Sequence, residues 1–185
     1  MKSWDVTADN ANEIWDIFDK NGDKLPYTKL RKDALLDNEY HLVVRVWLVN
    51  SEGQILLSQR GINKRGALLW ECTAGSALSG ESSIDTIKRE VLEELSIDLS
   101  GCTGTLLQRI RRDDHHDFYE IWIYEKDICI NSIQVDGKEV IDVRWVSILE
   151  LERMISEGLL MPTLSSFPQL YRDYLRNRKN EHTST

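Results

Sequence analysis

Three glutamates, Glu90, Glu93 and Glu94, stand within the segment "REVLEEL", directly after Arg89. On a helix, positions three and four apart are neighbours, so the three carboxylates crowd one face. Like charges at that spacing destabilise a helix by about 0.2–0.5 kcal/mol per pair. One reading is a solvated acidic face. The other is a site for a divalent cation. Hard cations such as Mg²⁺ take carboxylate oxygens together with substrate phosphates and water. A helix holds such ligands at a set spacing, and an arriving metal relieves their repulsion. Arg89 can pair with Glu93 at i+4 and orient it.

The element that must carry these residues is a helix from about Ser83 to Leu95. At 100° per residue, Ile84, Ile87, Val91 and Leu95 fall in one arc, which predicts the buried stripe. Glu90, Glu93 and Glu94 fall in a second arc beside it. Ser82 is the expected N-cap, with Asp85 as its capping-box partner. Upstream, "EIWDIFD", an Asn-Gly turn in "KNGD" and "KLPYTKL" predict an N-terminal hairpin from Glu13 to Lys29. "RKDALLDNEY" reads as a linker or a short helical piece. "HLVVRVWLVN" and "QILLSQR" read as paired strands across the turn "SEG". "GINKRGALLWECTAG" reads as a long irregular loop. Downstream, "TGTLLQRIRR", "FYEIWIYEKDI" and "EVIDVRWVS" predict three more strands. "ILELERMISEG" predicts an amphipathic helix ending near Gly158, and "SSFPQLYRDYLRNRK" a final helix before a frayed tail, "NEHTST". Strands and helices mix without strict alternation, which favours a mixed sheet covered by helices over a doubly wound parallel fold.

Composition narrows the function classes. The 185 residues suit one domain with extensions, divided as 1–38, 39–162 and 163–185. The net charge of −8 argues against general nucleic-acid binding, which needs a basic surface. Cys72, Cys102 and Cys129 are odd in number and lack C-x-x-C spacing, so free thiols in a reducing compartment are expected. The opening "MKSWDVTADN" does not read as a signal peptide, because no apolar stretch follows the lysine, and no apolar run reads as long enough to span a bilayer. The expected setting is cytoplasmic, without nucleic acid or membrane as partner.

The wider spacing carries a resemblance. From Gly75, five residues lead to Glu81 and seven more to Arg89-Glu90. Val91 follows, then one residue, Glu93-Glu94, one residue, Ser96 and Ile97. This resembles the Nudix hydrolase signature, Gly-x5-Glu-x7-Arg-Glu-aliphatic-x-Glu-Glu-x-Gly-aliphatic. The one departure is Ser96, where the family has glycine. A serine there costs about 1 kcal/mol in a left-handed conformation, or takes another backbone path. The resemblance spans roughly residues 40–160 and implies a Nudix-type α/β/α sandwich, of α/β (α+β) class, with a mixed sheet and an N-terminal β-hairpin.

For function it implies Mg²⁺- or Mn²⁺-dependent attack of water on a diphosphate linked to another group, X. By motif position, Glu90, Glu93 and Glu94 are the metal-binding carboxylates, Glu94 foremost. Glu81 is a further metal-site residue that closes the site by a water or a bridging contact, Arg89 orients the carboxylates, and Ala74 offers a carbonyl ligand beside Gly75. The general base in this family often lies outside the signature. Glu139 is the first candidate, with Asp142 and Glu120 as rivals. Arg60, Lys64 and Arg65 are candidates for holding a phosphate. Arg109, Arg111 and Arg112 form a second basic cluster that reads equally as rim. Trp47, Trp70 and Tyr119 could stack on a base or belong to the core. His115 and His116, in a polar tip, and Cys72 have bland readings. The expected partner is a small diphosphate, and a homodimer is the assembly the reading allows.

"EIWDIFDKNGDKL" followed by "EYHLVVRVWLVNSEGQILLSQR" also resembles the Nudix branch related to isopentenyl-diphosphate isomerase. Those isomerases carry a catalytic cysteine where this chain has Ala74, and a metal-binding histidine where it has Ser76. Hydrolysis is therefore expected. Isomerisation and a non-catalytic nucleotide-binding module stand as the alternatives.

Overall fold

The computed structural model describes residues 11–183, with side chains to residue 180. The Asn-Gly turn of "KNGD" forms as expected. β1 (Ile14–Phe18) and β2 (Lys24–Leu30) pair antiparallel across a turn in which Asp19 accepts from the amides of Asn21 and Asp23 and Gly22 has φ +89°. "RKDALLDNEY" forms turns rather than a helix.

β3 (His41–Val49) is the centre of the main sheet. It pairs in parallel along its whole length with β8 (Asp117–Glu125), which pairs antiparallel with β7 (Gly104–Arg112). Its other edge is shared. β6 (Ala74–Ser76) takes the first half, with Val44 opposite Gly75, and β4 (Ile55–Arg60) joins at Val49. β4 in turn pairs with β9 (Val140–Val146) and with β5 (Trp70–Glu71). The stretch expected to be a structureless loop thus contains two short strands. β6 pairs with residues of β3 about thirty positions back and β5 with residues of β4 across the loop, so no pattern inside the stretch itself announces them.

β3 is apolar on both faces because both are covered. Val44, Val46 and Leu48 pack under α1 (Ser83–Leu95), against Ile87, Val91 and Leu95. Trp47 and Val49 face the opposite way, toward α2 (Ile148–Ser156) and α3 (Phe167–Thr183), where Leu151, Met154 and Phe167 are buried. Trp47 stacks on Phe167 with ring centroids 3.6 Å apart. α3 continues through most of "NEHTST", further than the frayed tail expected there. The hairpin is part of the body. Ile17 is fully buried, Trp15 stacks on His41 at 3.9 Å, and Asp16 accepts from Ser79 Oγ and the Gly80 amide. No described helix is long and apolar enough to cross a membrane.

Candidate active site

α1 begins where its sequence directs. Ser82 Oγ accepts from the Asp85 amide at 3.2 Å, and Asp85 Oδ2 accepts from the Ser82 amide at 3.1 Å, closing the capping box. The buried stripe differs by one residue. Ile84 is 43% exposed, and Thr86 is buried instead. The reason is local. Thr86 Oγ1 donates to the Ser82 carbonyl and to Glu81, which turns this side of the first turn inward. The helix ends at Ser96, which does adopt the left-handed conformation (φ 54°, ψ 32°). Its amide donates to the carbonyls of Leu92 and Val91. The departure from glycine therefore leaves the exit path intact and adds strain of about 1 kcal/mol.

Arg89 is the hub of the carboxylates. It grips Glu81 with two bonds (Nε to Oε1 2.7 Å, Nη2 to Oε2 3.0 Å). Nη1 reaches Glu90 at 2.9 Å and Glu93 at 3.2 Å, and Nη2 also donates to the Ser76 carbonyl at 3.1 Å. The i+4 pair with Glu93 is thus present, although Glu93 is 59% exposed. Burial raises the pKa of Glu81, but Arg89 and the Leu78 amide outweigh it and hold this carboxyl low. Glu81 does not line the cavity described next. It anchors Arg89 from behind.

A cavity of about 430 Å³ opens between α1, β6 and the hairpin, lined by Ala74, Gly75, Glu90, Glu93, Glu94 and Glu139 among others. Burial pushes the Glu90 carboxyl up to about 7 against the pull of Arg89. Burial, then the nearby Glu71 and Glu90, pushes that of Glu94 well above the carboxylate range. Gly75 makes the arrangement possible. A Cβ there would stand 1.9 Å from Glu90 Oε1. Among the described residues, no three acidic, histidine or cysteine side chains are already gathered tightly enough to hold a metal. The donor chemistry nevertheless fits one. Several carboxylates face a common cavity and are only partly neutralised by Arg89 and Lys64, and oxygen donors suit Mg²⁺ or Mn²⁺.

The remaining candidates separate cleanly. Glu139 lines the cavity and its Oε2 accepts from Lys64 Nζ at 2.7 Å. Its rivals lie elsewhere. Asp142 bonds to the Val143 amide, and Glu120 is buried, accepting from Trp122 Nε1 at 2.8 Å. Of the three cations expected to hold phosphate, Lys64 lines the cavity, while Arg60 and Arg65 do not. Arg60 is turned to Glu71 at 2.5 Å, and its Nε holds the Arg65 carbonyl at 2.8 Å, so it staples the loop that carries Lys64. Arg111 pairs with Asp113 and Arg112 with Asp117, away from the cavity. Arg109 lies over Phe118, also outside it. Trp47 and Tyr119 belong to the core, and Arg144 covers Trp70. Neither His115 nor His116 lines the cavity, and the His116 ring faces the Glu39 carbonyl. Cys72 is buried, and burial pushes its thiol up to about 12.

Besides Val43 and Asp136, two lining residues of opposite charge escaped the reading of the sequence, Glu13 and Arg31. They flank the hairpin and match no local motif. Their signal is positional, since only docking of the hairpin carries them to the cavity.

Comparison with known proteins agrees with this architecture. Residues 39–163 match the model of the NUDIX domain. An uncharacterized Nudix hydrolase of Listeria monocytogenes is 34% identical over 175 residues, covering 92% of this chain and 98% of its own. An isopentenyl-diphosphate Delta-isomerase of Shigella dysenteriae is 25% identical over 147 residues, 73% of this chain and 78% of its own. Among solved structures, a Deinococcus radiodurans protein superposes with a TM-score of 0.69 at 19% identity, covering 85% of this chain and 98% of its own. The NUDIX domain of Shewanella oneidensis NrtR, solved with ADP ribose, superposes at 0.59 with 18% identity, covering 80% and 94%. With the signature, the fold and the domain match in agreement, the chain belongs to the Nudix hydrolase superfamily.

Proposed function

We propose that the protein hydrolyses a diphosphate linked to a second group, X, a nucleoside diphosphate linked to X being the first class to test, with Mg²⁺ or Mn²⁺ at Glu90, Glu93 and Glu94. The observation that carries this reading is one cavity holding both the carboxylates of α1 and the Lys64–Glu139 pair. Bound among those carboxylates, the cation would neutralise diphosphate charge and lower the pKa of a water. Glu139 is the base in this reading. Lys64 holds its Oε2, which leaves Oε1 to take the proton of the attacking water. Lys64 also offers positive charge to the phosphate beside it. Arg89 keeps Glu90 and Glu93 aimed, and Glu81 keeps Arg89 in place.

The isomerase reading is weaker on this geometry. Ala74 stands where the isomerases place their acid. Cys72 is 2% exposed, packs in the core beneath α2 and α3, and does not line the cavity. A panel of diphosphates assayed with Mg²⁺ and Mn²⁺, beside Glu94→Gln, tests the proposal. Turnover that Glu94→Gln reduces at least about 10²-fold is expected. A Glu94→Gln enzyme as active as wild type sinks the site, and isomerisation of isopentenyl diphosphate would select the alternative.

A further inference from the structure

The hairpin lies outside the residues matching the family domain, yet it reaches the candidate active site. Arg31 and Glu13 line the same cavity as Glu90 and Glu139. Arg31 follows the last residue of β2, and its amide donates to the Glu13 carbonyl at 2.8 Å. Its guanidinium lies 5.6 Å from the Trp15 ring centroid, and Nη1 donates to Glu13 Oε2 at 2.8 Å.

Among the described residues three cations line the cavity, and they are engaged differently. Arg89 is saturated by Glu81, Glu90, Glu93 and the Ser76 carbonyl. Lys64 is held by Glu139. Arg31 has five N–H donors, and its pair with Glu13 uses one of them. The pair is partly exposed, at 22% and 27%, so an anion entering the cavity can displace Glu13. Arg31 is also well fixed. Trp15 stacks on His41, and Asp16 ties the hairpin to Ser79 and Gly80, just ahead of α1. The planar fork suits phosphate or carboxylate, which it binds through paired bonds.

We infer that Arg31 is a substrate-binding residue that takes a second anionic group of the substrate, beyond the diphosphate at the carboxylates, with Glu13 holding it in wait. The inference rests on the proposed function for the location of the diphosphate. The preferred substrates are then diphosphates whose X bears a phosphate or carboxylate, and the hairpin supplies that selectivity.

The test is equilibrium binding, which needs no turnover. Methylene-bridged analogues of adenosine triphosphate and adenosine diphosphate, differing by one terminal phosphate, are titrated with Mg²⁺ into wild type, Arg31→Ala and Glu13→Gln. The extra phosphate is expected to tighten binding at least tenfold in wild type and in Glu13→Gln, and that gain is lost in Arg31→Ala. An equal gain in Arg31→Ala overturns the inference, as does an absence of gain in wild type. Loss of the gain in Glu13→Gln also overturns it, because the effect then belongs to hairpin packing. A wild type that shows the Arg31-dependent gain but turns over no diphosphate retains this inference and loses the proposed hydrolysis. A wild type that turns over diphosphates without the gain does the reverse.

Discussion

Gly75→Ala is the sharpest perturbation the site offers. Gly75 is absent from the positions with positive φ, so its backbone accepts alanine, and the effect must come from space. The new Cβ would meet Glu90 Oε1 at 1.9 Å, Cδ at 2.0 Å and Cγ at 2.6 Å. Ordinary contact needs about 3.5–4.0 Å, so the whole carboxyl end has to move by more than about 1 Å. That movement breaks the 2.9 Å bond from Arg89 to the same Oε1. A bond to a charged group contributes about 1.5–3 kcal/mol, and a chain of this size loses about 2–4 °C in Tm per kcal/mol. A ligand misplaced by about 1 Å costs on the order of 10²-fold in rate. The assay is turnover against Mg²⁺ concentration, with a thermal melt of the same samples. Turnover is expected to fall about 10²-fold, more Mg²⁺ is needed for half-maximal rate, and Tm drops by several degrees. In the background of Glu90→Ala the clash is gone, so adding Gly75→Ala should cost little further stability, a clear non-additivity. A folded Gly75→Ala enzyme with wild-type rate and Mg²⁺ dependence would refute the reasoning, because Glu90 would then have no part in holding the cation.

Three other outcomes follow from the same geometry. Ser96→Gly relieves the left-handed strain and is expected to stabilise the protein by about 1 kcal/mol, read by denaturant melts, with turnover unchanged; a loss of stability would show that Ser96 contributes something besides conformation. Glu90 sits at about 7 in the folded chain against an ordinary 4.5, raised by burial, so the folded state binds the extra proton and this group's contribution falls as pH rises through that window. Without metal, Glu90→Gln should therefore gain stability relative to wild type between about pH 4.5 and 7, a gap that Mg²⁺ closes; a gap constant with pH contradicts the assignment. Glu139→Gln should lower kcat by about 10²–10⁴-fold while Asp142→Asn leaves it unchanged, since Glu139 alone of the pair lines the cavity; a saturated rate near wild type for Glu139→Gln across pH removes it as the base.

The α1 segment was the most legible part of the chain, and the reasons are local. Ser82 and Asp85 form the expected cap, the helix spans Ser83–Leu95, and Arg89 meets Glu93 one turn on. All of these interactions lie within four residues. Ile84 misled the periodicity because the stripe assumes a uniform neighbour, whereas the first turn faces the Glu81 loop. β5 and β6 were read as loop because two- and three-residue strands have no period of their own. They exist through their partners on β4 and β3. Arg60 and Lys64 look alike in sequence, yet Glu71 takes one and Glu139 the other.

What the sequence by itself determined is the set of candidate ligands and their spacing: three carboxylates on one helix, an arginine beside them, and a glycine and a glutamate at set distances ahead. Helical geometry converts that spacing into a surface without help from the rest of the chain. The tertiary structure decided what the surface faces. It half-buried Glu90 and Glu94, set Glu81 behind Arg89, placed Glu139 but neither Asp142 nor Glu120 at the cavity, and brought Arg31 there from the hairpin. Those choices depend on strand register and on the docking of segments distant in the chain. Such contacts are set by the packing of both sheet faces, and no short stretch of sequence contains them.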